Sequence, residues 1–170
     1  MNSFLRAGLL GLMLLLLGCG QLAPSSTVLT GQVQRIVSGQ TLEVLVSGEN
    51  DQRAVRLLGI SSPDLKQQPW GEAAQQGLAT LVTQATVLLE LGNPPQDRLG
   101  RNLAYVWRDR TLINEKLVAE GLVLASDFAS PYSDRLRRAE EYARLMGYGI
   151  WNPAQPLRVT PAEFRKLNPS

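Results

Sequence analysis

Residues 56–64 read Arg-Leu-Leu-Gly-Ile-Ser-Ser-Pro-Asp. The apolar run is that of a buried strand, yet a guanidinium stands at its head and a small polar cluster, Ser61, Ser62 and Asp64, at its end. A strand bound for a core needs neither, and the pattern suits an anion site, because the planar fork of Arg56 matches the oxygens of phosphate or carboxylate. Ser-Ser-Pro-Asp is also what a turn or helix start favours, so both readings stand at this point. Other chemistries are excluded outright. The chain has no histidine, which removes His-based triads and imidazole metal sites, and its single cysteine, Cys19, leaves too few ligands for zinc.

The elements that must hold these residues follow from the hydrophobic pattern. Val28–Val37 and Gln40–Val46 alternate as strands around the turn signal Ser38-Gly39, and Arg53–Ile60 reads as a third strand after a polar turn. Ala73, Ala74, Gly77, Leu78 and Leu81 place a helix over residues 69–81. Thr86–Leu91 is a strand expected to break at Gly92-Asn93-Pro94-Pro95, and Asn102–Arg108 is the fifth. A helix over 112–120 closes at Gly121. A third, opened by Ser130-Pro131, stops at Gly147, and Thr160-Pro161-Ala162-Glu163 is a capping box for a short terminal helix. Five strands, a helix between the third and fourth, and helices after the fifth suit an α+β fold that is mainly a five-stranded OB-type barrel with three helices.

With 170 residues and 44% apolar content, the chain supports one folded domain plus accessories. Residues 1–18 are expected to be a signal peptide, with a positive start and an apolar run over 7–17 too short to span a bilayer. Leu16-Leu17-Gly18-Cys19 is similar to a bacterial lipobox, which implies cleavage after Gly18, a lipid on Cys19 and an exported protein anchored on the periplasmic or extracellular face of a membrane. Residues 19–30 are expected to be a flexible tether, 31–152 the folded domain, and 153–170 a proline-rich tail with a short helix. Loss of the leader removes Arg6 and no acid, so the net charge falls from +2 to +1. That is too little for a protein relying on non-specific contacts with nucleic acid.

Three segments in order carry a resemblance. Val37-Ser38-Gly39-Gln40-Thr41 is similar to V-x-D-G-D-T, Arg56–Asp64 to R-L-x-x-I/V-D-x-P-E, and Asp97-Arg98-Leu99-Gly100-Arg101-Asn102-Leu103-Ala104-Tyr105 to D-x-Y/F-G-R-x-L-A-Y/W. Together, over residues 31–152, they resemble the staphylococcal (thermonuclease) nuclease family. The resemblance implies an OB barrel and calcium-dependent hydrolysis of DNA and RNA phosphodiesters. Two aspartates hold the ion, two arginines stabilise charge on the phosphate, and a glutamate serves as general base.

Position by position, the resemblance puts the phosphate-clamping pair on Arg56 and Arg101. It puts the metal-ligand aspartates at Gln40 and Ser61, where formal charge is gone, and the base at Asp64, where the carboxylate is drawn back by about 1 Å, a displacement that can cost about 100-fold. Ser62 keeps a hydroxyl in place of threonine. Glu43 is expected to face away from Gln40, and Asp97 to order its own loop. Leu99 stands where the family has a base-stacking tyrosine, with Asp127 near a second. The expectation is therefore a membrane-anchored domain with little or no catalysis and no cofactor. It would retain an arginine-based site for the phosphate of a nucleotide or nucleic acid, or act as an assembly module for a membrane-protein partner. The alternative is an active exported nuclease using calcium.

Overall fold

The computed structural model of the chain describes residues 27–126 and 129–169. The expected leader, Cys19 and Asp127 lie outside them. β1 (Val28–Ser38), β2 (Thr41–Val46) and β3 (Gln52–Leu57) form an antiparallel meander, followed by a two-residue β4 (Ile60–Ser61). α1 (Trp70–Val82) leads to β5 (Thr86–Gln96), β6 (Asn102–Arg108) and a short β7 (Thr111–Leu112). Then come α2 (Ile113–Ala119), β8 (Leu124–Ala125), α3 (Ser133–Met146), a 3-10 turn (Gly149–Trp151) and α4 (Pro161–Leu167).

The sheet runs β3-β2-β1-β5-β6 and closes on itself through parallel pairing of β3 with β6, which sets Val55 beside Asn102, Arg56 beside Leu103 and Leu57 beside Ala104. This is a closed five-stranded barrel of the OB type. Alternation sends Leu42, Val44, Val55, Leu57, Leu89, Ala104 and Val106 inward, where all are buried. α1 covers the barrel with Ala74, Leu78 and Val82, α2 with Leu117 and Val118, and α3 with Leu136 and Ala139.

Four boundaries depart from the sequence reading, each for a local reason. The tether expected over 19–30 overlaps the strand expected from Val28, and the strand reading holds: Val28, Leu29 and Thr30 pair with Glu90, Leu89 and Leu88 and belong to β1. The third strand stops at Leu57: Gly59 adopts φ 71°, and a Cβ there would lie 2.5 Å from Leu136 Cδ1, so the chain can turn here only at glycine. β4 then leaves the barrel to pair with β8. β5 does not break at Gly92-Asn93-Pro94-Pro95. It stays extended through a bulge between the Leu91–Ala104 and Gln96–Asn102 pairs, where prolines owe no ladder hydrogen bond. Finally, Ser130 and Pro131 form a turn rather than cap α3. Tyr132 precedes the helix instead, held by its hydroxyl donating to Glu90 at 2.7 Å and its ring 4.6 Å from Tyr105.

Candidate anion site

Arg56 sits on the outward face of β3, flanked by Thr41 of β2 and Leu103 of β6. Side chains alternate along a strand, so Arg101, two residues before Leu103, emerges on the same side. Asp97 fixes it there. Its Oδ1 accepts the backbone N–H groups of Leu99 (2.9 Å) and Arg101 (3.0 Å), while Oδ2 accepts the Arg101 guanidinium at 2.7–2.8 Å. Burial alone would raise the Asp97 carboxyl; the hydrogen bonds from Arg101 and Leu99 outweigh it and hold the group below its usual value. The Asp97 loop is thus an anion-braced turn that aims Arg101.

Arg56 has no such partner. Among the described residues no carboxylate bridges it and its side chain donates no hydrogen bond, although it is half-buried. Burial, then the Arg101 and Arg165 guanidiniums, push it below an arginine's ordinary value, with only Asp97 opposing. A half-buried cation beside like charges is costly unless a counter-ion completes it.

The two positions that the resemblance gives to metal ligands are bonded within the protein. Gln40 Oε1 accepts Ser62 N–H at 2.9 Å, joining the end of the β1–β2 turn to the segment after β4. Ser61 Oγ accepts from the Arg165 guanidinium at 3.3 Å. Ser62 is buried, donates to Pro63 O at 3.0 Å, and packs so closely on Gly39 that a Cβ there would lie 2.4 Å from its Oγ. Glu43 faces away and pairs with Arg35 of β1. Asp64 is a turn residue: its Oδ1 accepts Lys66 N–H at 2.9 Å and its own N–H donates to Gln67 Oε1 at 2.9 Å. Calcium, which the resemblance implies, does not fit this donor set. Both oxygens are neutral and already bonded, one of them to a cation, and no group of three or more Asp, Glu, His or Cys is placed to hold a metal among the described residues.

A cavity of about 490 Å³ opens beside the arginine. Arg56 and Ser61 line it, with apolar walls from Leu58, Ile60 and Leu124, and Pro161 and Arg165 close it from the tail. Asp64, Gln40 and Arg101 do not line it.

The family model described as staphylococcal nuclease homologue matches residues 54–153. The chain belongs to the staphylococcal nuclease homologue family. It is 33% identical to a thermonuclease of Staphylococcus hyicus over 72% of this chain and 76% of that one, and 33% identical to a thermonuclease of Staphylococcus intermedius over 79% and 84%. It is also 33% identical to the Escherichia coli protein ParB, over 85% of this chain and 83% of that one. The family is calcium-dependent and binds nucleic acid. In this member Arg56 and Arg101 stand together on one face, whereas Gln40, Ser61, Ser62 and Asp64 each make a hydrogen bond within the protein.

The sequence reading missed Arg165, because nothing in the tail says where it docks. The capping box predicts α4, and Thr160 and Glu163 do form it, with Glu163 N–H donating to Thr160 Oγ1 at 3.2 Å. No sequence signal, however, links residue 165 to residue 61. Leu99 is 78% exposed at the loop tip, so no aromatic platform stands there. Of the basic run on α3, Arg137 pairs with Asp134 and Glu141, and Arg135 pairs with Glu115 and lies over the Trp107 ring at 5.5 Å.

Proposed function

We propose that this staphylococcal-nuclease-like domain is an exported phosphate-binding module with little or no hydrolytic activity, anchored to a bacterial membrane through a lipid on Cys19. One observation carries the reading: the oxygens at both positions that the resemblance gives to metal ligands are bonded within the protein, while among the described residues no carboxylate bridges Arg56 beside them. Phosphate capture survives such a change because it needs only oriented guanidiniums. Hydrolysis does not, because it needs a metal to gather charge in the transition state and a base at the attacking water. Asp64, bonded to Lys66 N–H, is held in a turn instead of reaching for that water. The ligand is the phosphate of a nucleotide or nucleic acid, and a membrane-protein partner would receive it or be held by it.

A gel assay on single-stranded DNA with calcium, magnesium and manganese in turn tests the proposal. The wild type should leave substrate intact, and the triple variant Gln40→Asp, Ser61→Asp, Asp64→Glu should gain calcium-dependent cleavage. Wild-type cleavage that disappears in Arg56→Ala would sink it. That outcome belongs to the second reading, an active exported nuclease, which the identity to two thermonucleases favours.

A further inference from the structure

α4 is tied to the barrel at successive points. Leu157 N–H donates to Ile150 O at 2.9 Å, Gln67 Nε2 to Val159 O at 2.9 Å, Pro161 is buried, and Arg165 reaches Ser61 at 3.3 Å. All of this lies beyond residue 153, where the family match ends. The tail therefore delivers a guanidinium to a position where the family resemblance places a metal ligand. Among the described residues Arg165, like Arg56, is bridged to no carboxylate, and no acid lines the cavity the two share.

We propose that Arg165 completes, with Arg56 and Arg101, a metal-free receptor for a phosphomonoester dianion carried on a small organic body. This rests on the phosphate-binding reading and names its ligand. The charge count selects the monoester. Arg56 and Arg165 line the cavity with two positive charges, while Arg101 beside it is paired with Asp97; a terminal phosphate of charge about −1.5 to −2 neutralises the two, whereas a phosphodiester supplies one negative charge. Arg56 and Arg165 approach from β3 and α4, two separate directions, so two or three oxygens of one phosphoryl group can be engaged at once. Shape agrees, since the apolar walls from Leu58, Ile60 and Leu124 give the organic body a surface on which to rest, in a volume typical of small-molecule sites.

Calorimetry of the full chain in EDTA, titrated with a nucleoside monophosphate and with a hydroxyl-ended dinucleoside phosphate, tests this. The monoester should bind at least about tenfold tighter than the diester, and added calcium should change neither, since fork-to-dianion bonds set the affinity. Arg165→Ala should weaken the monoester about tenfold or more and remove most of the preference, with melting temperature unchanged because residue 165 is exposed. Arg165→Lys should recover only part. If Arg165→Ala binds both ligands as the wild type does while Arg56→Ala loses both, the Arg165 receptor is wrong and the two-arginine site survives. If the wild type binds neither ligand, the receptor and the phosphate-binding module fall together. Binding that appears only with calcium also overturns both.

Discussion

Asp97 accepts the guanidinium and backbone N–H of Arg101 and the backbone N–H of Leu99, so Arg101 is half-neutralised and aimed, whereas among the described residues Arg56 is bridged by no carboxylate. The two therefore answer differently to substitution. Arg56→Leu removes a half-buried cation that burial and two neighbouring guanidiniums disfavour. It should leave stability unchanged or raise it by up to about 1 kcal/mol in urea denaturation, while phosphate binding is lost. Destabilisation by Arg56→Leu would instead mark the arginine as structural. For Asp97 the sign follows from its lowered value in the fold. An unfolded aspartate titrates near about 3.9; the folded group lies below that, so its stabilisation is present above that pH and fades as pH falls toward the folded value. Acid melts of Asp97→Asn should accordingly show a shallower loss of stability below about pH 4 than the wild type.

At the scale of elements, the turn after β3 decides where Arg56 and Ser61 stand relative to each other. Asn114 of α2 is fully buried and locks that turn, with Nδ2 donating to Leu58 O at 2.8 Å and Oδ1 accepting Val106 N–H at 2.9 Å. Asn114→Ala leaves a buried carbonyl and a buried N–H without partners, and chemical denaturation should register a loss of about 2–3 kcal/mol. The helix–strand order was readable from spacing: alternation over 28–37 and 41–46 and the 73, 74, 77, 78, 81 stripe each produced the expected element. Gly59 was less legible. A glycine inside an apolar run signals some close approach, but that Gly59 takes φ 71° and lies against Leu136, which is distant in sequence, shows only in the fold.

For the whole molecule, the tail is the element with two lives. Docked, it carries Arg165 to the cavity; released, it would leave a shallower site lined by Arg56, with Arg101 beside it. The Gln67–Val159 bond and the Thr160 capping box hold it, so Gln67→Ala with Thr160→Ala should speed limited proteolysis within 153–169 and weaken phosphomonoester binding toward the Arg165→Ala level. Each change costs about 1 kcal/mol locally. The midpoint of barrel unfolding should hardly move, because among the described residues the tail's one hydrogen bond to a strand goes to Ser61 of the two-residue β4, which lies outside the barrel, and β1, β2, β3, β5 and β6 make none with the tail.

By itself the sequence determined the barrel and the family resemblance, and through that resemblance the expectation of Arg56 and Arg101, because strand alternation, turn residues and motif order are local properties that survive without knowing who touches whom. It also determined that charge was missing at Gln40 and Ser61. Only the tertiary structure decided what fills the gap. Gln40 is bonded across 22 residues to Ser62, and Ser61 across 104 residues to Arg165. Contacts at such separations depend on how closed surfaces meet, and no periodicity in the chain encodes them.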